Sequence, residues 1–226
     1  MWRDSSGKQL TDYPRPSVAV DVVLLTVVGD GREAQLCVLL HQPTAGPAAG
    51  LWCLPGTFVR QDELLADAAL RAQHDKAGVV GRQPRQLKVF DALDRDGRGR
   101  VLSVAHVDLL PFDDLGECAC RPAPVEGERA VPPAGQQQLP YDHDAIVTDA
   151  VRATREAYRR DPDPSGLLGP EFTLYDLRRL HDAVAGSRSV KDTFRRKMTP
   201  ALEPTGRERT GTVGRPAELY RHRPPR

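Results

Sequence analysis

Apolar positions dominate 18–28 (VAVDVVLLTVV) and recur over 34–42, around EAQLCVLLH, with the turn residues GDGRE between them. The spacing predicts a hairpin whose first strand is buried. A Gly- and Pro-dense loop follows, QPTAGPAAGLWCLPG. From Glu63 to Ala77 the residues Leu64, Leu65, Ala68, Ala69 and Ala72 repeat at helical spacing, and Gly78 stands where a helix ends. Two further strands are expected near 86–92 and 100–110, joined by the polar tip DRDGRG. Residues 111–140 carry too many breakers for a regular element and read as a long surface loop. A helix is expected from Asp144 to Arg160, and DPDPSG at 161–166 reads as a linker. The pattern is α/β, a mixed sheet with helices outside it.

Beyond the linker the pattern changes. In FTLYDLRRLHDAVAG, Leu174, Leu177, His181 and Val184 form one stripe, so His181 is assigned to the core. Thr173 is placed as N-cap with Asp176 three residues on, and Gly186 closes the helix. A second helix, Val190 to Met198, turns Phe194 and Met198 inward and Lys191, Arg195, Arg196 and Lys197 outward, before Pro200 stops it. Two strands follow around a tip holding Gly206, Gly211 and Gly214. Helix, turn, basic helix and glycine-rich hairpin suit a winged helix-turn-helix, dividing the chain into 1–164 and 165–226.

Charge sharpens this division. The net charge is +1, but Glu171 to Arg226 holds 13 Lys+Arg against 7 Asp+Glu, leaving 19 against 24 in the rest. A basic quarter on an acidic body points to a polyanionic partner. The four cysteines, Cys37, Cys53, Cys118 and Cys120, lack zinc-knuckle spacing. With a polar N-terminus and no apolar run of membrane length, a reduced, cytoplasmic protein without membrane contact is expected.

The chemistry centres on LPGTFVRQDELLADAALRAQHDKAGVV, 54–80. It resembles the Nudix box, G-x5-E-x7-R-E-U-x-E-E-x-G-U. Thr57 stands at the first glycine, Glu63 at the first glutamate and Arg71 at the arginine; Ala72 and Gln73 take the next glutamate and aliphatic positions. Asp75 and Lys76 stand at the glutamate pair, and Gly78 and Val79 complete the match. Positions 72, 75 and 76 are spaced to share a helix face, which in Nudix enzymes gathers carboxylates around Mg2+. Here that face offers a methyl group and an ammonium, so no metal site and no catalytic residues are assigned. Lys76, with Arg60 and Arg71, could instead hold phosphate directly; alternatively Arg71 braces the loop and Lys76 is solvated.

The C-terminal pieces FTLYDLRRLHDAV, FRRKM, LEPTGR and GRPAELYRHR, with DRDGRGRVLSVAHVDLLP and LPYDHDAI upstream, resemble the NrtR family of Nudix-related regulators over nearly the whole chain beyond Ser17. The resemblance implies a Nudix-fold mixed-sheet α/β/α sandwich followed by a winged helix-turn-helix. It implies a homodimeric repressor, often of NAD or pentose metabolism, that binds a nucleotide sugar such as ADP-ribose and then releases a pseudo-palindromic double-stranded operator. No cofactor is required on this reading. The expected effector residues are Arg60, Glu63, Arg71, Asp75, Lys76, Arg98 and Arg100; for the last two, contact with the partner subunit stays open. The expected DNA residues are Lys191, Thr193, Arg195, Arg196, Lys197, Arg207, Arg209 and Arg215. His143 is read as a helix cap or as effector-pocket lining, and Trp52 as core or as a stacking surface, the first role preferred for each. The alternatives are a Mg2+-dependent Nudix hydrolase of nucleoside diphosphate derivatives with a divergent metal site, its tail serving dimerisation, and a binding module that has lost both functions.

Overall fold

The strand β1 (Ser17–Val28) is the axis of the structure, a computed structural model that describes residues 2–31, 33–115, 120–133, 135–209 and 216–223. Val, Leu and Thr on both faces suit a strand covered on both sides. It runs parallel to β5 (Val101–Leu109) along most of its length. Its other edge pairs antiparallel with β3 (Gly56–Phe58) in its first half and with β2 (Gln35–Leu40) in its second. β4 (Arg85–Phe90) flanks β5, and with β6 (Arg121–Glu126) and β7 (Arg129–Ala130) the mixed sheet runs in the order β4-β5-β1-β2-β6-β7 with β3 beside β1. The predicted hairpins are present.

The helices take opposite faces. α1 (Leu65–Ala77) lays Ala68, Ala69 and Ala72 against Val20, Val22 and Leu24. Alanines let the helix approach the sheet closely, and Gly78 ends it in the left-handed conformation at φ 63°. Leu64, assigned to the apolar stripe, is instead the N-cap residue and 72% exposed, since the helix starts one residue after it. α2 (His143–Arg160) covers the other face with Ile146, Val147, Ala150 and Val151 against Val23, Leu25 and Trp52. Trp52 is therefore core.

The long loop expected over 111–140 contains two strands, β6 (Arg121–Glu126) and β7 (Arg129–Ala130). Pro122 and Pro124 looked like breakers, but their spacing of two puts both on the side of β6 that faces away from β2. The carbonyl of Pro124 accepts there from the Val131 N–H.

The winged-helix region has its own core of Phe172, Leu177, Phe194, Met198, Leu202 and Tyr220. A short strand, β8 (Phe172–Thr173), which the sequence pattern did not indicate, joins β10 (Ala217–His222) and β9 (Leu202–Arg209) in a small sheet. α3 (Leu174–Ala185) begins with the expected capping box: Thr173 accepts from the Asp176 N–H, and Asp176 accepts from the Thr173 N–H. α4 (Lys191–Met198) buries Phe194 and Met198. The segment read as a linker is packed. Asp163 is buried, and its carboxylate accepts from Tyr158 Oη and from the Leu167 and Leu168 N–H groups. Leu180 and Val184 of α3 lie in the same apolar cluster as α2, so the two regions share a core. Gly211, Gly214, Arg215 and Cys118 lie outside the described residues. Among the described residues no helix is long and apolar enough to cross a membrane.

Candidate functional site

A cleft of about 340 Å3 opens where β1, β3, α1 and the start of α2 meet. Its floor is Asp21, the one charged residue in the apolar run of β1, which is buried. Burial alone raises its carboxyl pKa, but His143, the Ser103 hydroxyl and Arg95 outweigh that and hold it below the ordinary range. Ser103 Oγ donates to Asp21 at 2.6 Å. The Arg95 guanidinium bridges Asp21 at 3.2 Å and Asp142 at 2.7 and 2.9 Å. Gly56 passes so close that a Cβ there would stand 2.3 Å from Asp21 Oδ1, which explains the glycine of WCLPG.

His143 does not cap α2 through its side chain. Its Nδ1 accepts from the Leu54 N–H at 3.1 Å, which leaves the proton on Nε2, 3.4 Å from Asp21. It lines the cleft and ties the WCLPG loop to the floor. Opposite, His41 Nε2 lies 3.4 Å from Cys53 Sγ. Burial, and then the charge of Asp21, push the Cys53 thiol up to about 12, so it stays protonated and inert as a nucleophile. Burial, and then the Lys76 ammonium, lower His41 from 6.5 to about 4. His41 is neutral in the fold but protonates when unfolded below its ordinary pKa. Stability is therefore expected to fall as pH drops from 6.5 toward 4. Thermal melts at pH 7 and pH 5 check this, with His41→Asn expected to narrow the difference.

At the mouth, the Arg98 guanidinium lies 5.1 Å from the Phe58 ring and 5.7 Å from the Tyr141 ring. Asp96 holds it with bonds of 2.6 and 2.9 Å. Tyr141 is left-handed at φ 59°, an unusual conformation for a side-chain-bearing residue. Lys76 lines the same cleft, and its ammonium has no ionic or hydrogen-bond partner among the described residues.

Of the expected effector residues, the structure brings Lys76 and Arg98 to this cleft. Arg71 is a brace: it donates to Glu63, to Thr57 Oγ1 at 2.8 Å and to the Phe58 carbonyl at 3.0 Å. Glu63 also accepts from the Arg60 N–H at 3.0 Å, and the Arg71 guanidinium, helped by that amide, lowers its pKa to about 2. Arg60 and Asp75 are exposed away from the cleft lining, Asp75 beside His74 at 3.0 Å. Arg100 donates to the Asp91 and Ala92 carbonyls and braces its hairpin. The site residues missed by sequence pattern are Asp21, Arg95, Asp142 and Tyr141. The signals for two of them were a lone charge within an apolar run and an arginine in a turn.

These residues do not fit the magnesium ion that a Nudix box implies. The expected shared face of 72, 75 and 76 is split, because Ala72 is buried under the sheet while Asp75 and Lys76 are exposed. Ala72 offers no oxygen, Glu63 is occupied by Arg71 and the Arg60 amide, and Lys76 repels a dication. Among the described residues no group of three or more His, Cys, Asp or Glu is placed to hold a metal.

The second surface is α4. Lys191, Arg195, Arg196 and Lys197 are exposed, as predicted, and so is Thr193; the four cations have no ion pair among the described residues. Thr193 and Lys197 also line a groove of about 740 Å3 between α4 and α2, on a different side from Lys191 and Arg195. On the hairpin, Arg207 is paired with Glu171 at 2.8 Å and Arg209 with Asp176 at 2.7 Å. Those two contacts must open before either arginine reaches a phosphate. Arg215 is outside the described residues.

The comparisons with known proteins agree with this two-part layout. A family profile described as the NrtR DNA-binding winged helix domain matches residues 164–222, and the NUDIX domain profile matches 16–118. The chain is 29% identical over 216 residues to the ADPR responsive transcriptional repressor NtrR of Acinetobacter baylyi, covering 94% of this chain and 84% of that protein. It resembles the crystal structure of Shewanella oneidensis NrtR complexed with a 27mer DNA at TM-score 0.72 and 30% identity, over 91% of this chain and 93% of that one. The NUDIX domain of the same Shewanella protein, complexed with ADP ribose, matches at TM-score 0.50 and 28% identity, over 66% and 95%. The chain belongs to the NrtR family, with a Nudix fold carrying a C-terminal winged helix.

Proposed function

We propose that this protein is a transcriptional repressor that binds operator DNA through α4 and releases it when ADP-ribose, or a closely related nucleotide sugar, enters the cleft. The observation that carries this reading is the unpaired Lys76 ammonium at the former metal face, beside a cleft whose mouth holds the Arg98, Phe58 and Tyr141 group. An ammonium is suited to bind a diphosphate directly where a magnesium ion would otherwise bridge. The flat faces of two aromatic rings and a guanidinium suit a purine. The relatives named for ADPR response, DNA and ADP ribose support the same assignment. Lys76 and Arg98 are the ligand contacts on this reading. Arg71, Glu63 and Arg100 shape loops around the cleft. Two copies of the chain place two α4 helices on a pseudo-palindrome, half-sites about one helical turn apart.

Hydrolysis of the bound nucleotide is not expected. Without a metal to neutralise charge developing on the diphosphate, each missing ligand costs a few kcal/mol of transition-state stabilisation, or about a hundredfold in rate. Incubation with ADP-ribose and Mg2+ or Mn2+ is expected to yield no AMP above the protein-free rate; efficient cleavage would favour the divergent hydrolase instead. A gel shift with DNA from upstream of the protein's own gene tests the regulator. A retarded band that ADP-ribose disperses is expected, and a band that never forms rejects the reading.

A further inference from the structure

We infer that α2 is the mechanical link between cleft and DNA head, acting through a joint made of Arg155 and the edge-to-face rings of Tyr158, His181 and Phe194. The inference rests on the proposed ligand-controlled release and adds the route by which it occurs.

One end of α2 is built into the cleft. Asp142, its N-cap, takes two bonds from Arg95, the guanidinium that also holds Asp21. His143, its first residue, joins Asp21 to the Leu54 amide, and Tyr141 just before it faces Arg98. A ligand that displaces Arg98, Tyr141 or His143 therefore pulls on the start of the helix. The helix has 18 residues and spans about 27 Å.

Its other end is built into the DNA head. The Tyr158 ring meets His181 of α3 edge-on at 5.2 Å, and His181 meets Phe194 of α4 at 5.0 Å. His181 also donates to the Pro162 carbonyl in the packed connection. Arg155 Nε donates at 2.9 Å to the Val184 carbonyl, one of the last α3 carbonyls, which have no partner within their own helix. Its other arm bonds the Gly127 carbonyl of the β6–β7 turn at 2.5 Å. Gly186 sits there at φ 69°, a conformation that favours glycine, and a Cβ would stand 3.3 Å from the Arg155 guanidinium. Packed helix contacts of this kind have discrete arrangements, so a small axial shift of α2 re-seats α3 and with it α4.

Fluorescence anisotropy of labelled operator, with and without saturating ADP-ribose, tests the joint. The wild type is expected to lose about tenfold or more of its operator affinity with ligand. Arg155→Met and His181→Leu should shrink that factor to below about threefold, with ligand-free operator affinity and ADP-ribose affinity little changed. Arg152→Met, on the same helix but paired with Glu128, should keep the full response. A full response in both Arg155→Met and His181→Leu overturns the inference while leaving the repressor reading intact. A wild type that binds operator but ignores ADP-ribose rejects the repressor reading and the joint with it. Hydrogen exchange on the wild type serves if the variants do not fold: ligand should alter protection across 155–160 and 181–198, and a change confined to the cleft also overturns the joint.

Discussion

Charge reversal at Arg195 and Arg196 together is expected to weaken operator binding by at least about a hundredfold without lowering the melting temperature. Both side chains are exposed on α4 and have no ion pair among the described residues, so the fold does not depend on them. An arginine reading guanine contributes about 1–3 kcal/mol, and reversal adds repulsion from the phosphates. The salt dependence should flatten too, by about one unit of slope for each lost phosphate contact. Filter binding across a salt series checks both effects. Unchanged affinity removes α4 as the reading head. Arg207→Ala and Arg209→Ala should act more weakly, because each of those arginines is already neutralised by a carboxylate in the free protein.

The second large effect is on stability. Arg95→Met should destabilise the protein by about 3–5 kcal/mol, because it removes the buried guanidinium that pairs with the buried Asp21 and the half-buried Asp142. For a chain of this size that lowers the melting temperature by roughly 6–20 °C. The sign of the pH dependence is specific. In the wild type the Asp21 carboxyl sits below its ordinary pKa, so its contribution is present above that range and is lost as pH falls through the folded value. In the variant one of the groups holding it low is gone while Ser103 and His143 remain, so protonation relieves a less fully compensated charge. The deficit should therefore narrow in acid. Denaturant melts of both proteins at pH 7 and pH 4.5 measure it, and a constant deficit would show that Asp21 is not the less compensated charge.

The sequence was most informative where structure is local. The Val- and Leu-rich β1, the alanine stripe of α1, the Thr173–Asp176 cap and both terminal glycines, Gly78 and Gly186, each follow from residues within a turn of one another. The Pro122-x-Pro124 strand is not legible in the sequence, because composition does not say which way a backbone N–H would point, and that decides whether a proline is tolerated. The cleft was the least legible part. Its bonds join Arg95 to Asp21 and Asp142, and Leu54 to His143, across separations of 47 to 89 positions. The box alignment pointed to Lys76, which lines the cleft, but also drew in Arg71 and Glu63, whose charges are spent on each other. A motif marks where a helix starts and what faces it; it does not say which of its charges remain free.

This cleft is expected to hold its ligand, and the protein to release DNA, without a metal. Titrating ADP-ribose into the protein–operator complex in the presence of EDTA tests it most directly, with anisotropy as the readout. Complete release, at the same midpoint as in Mg2+, is the predicted result. Release that occurs only when the divalent ion is restored would contradict the account.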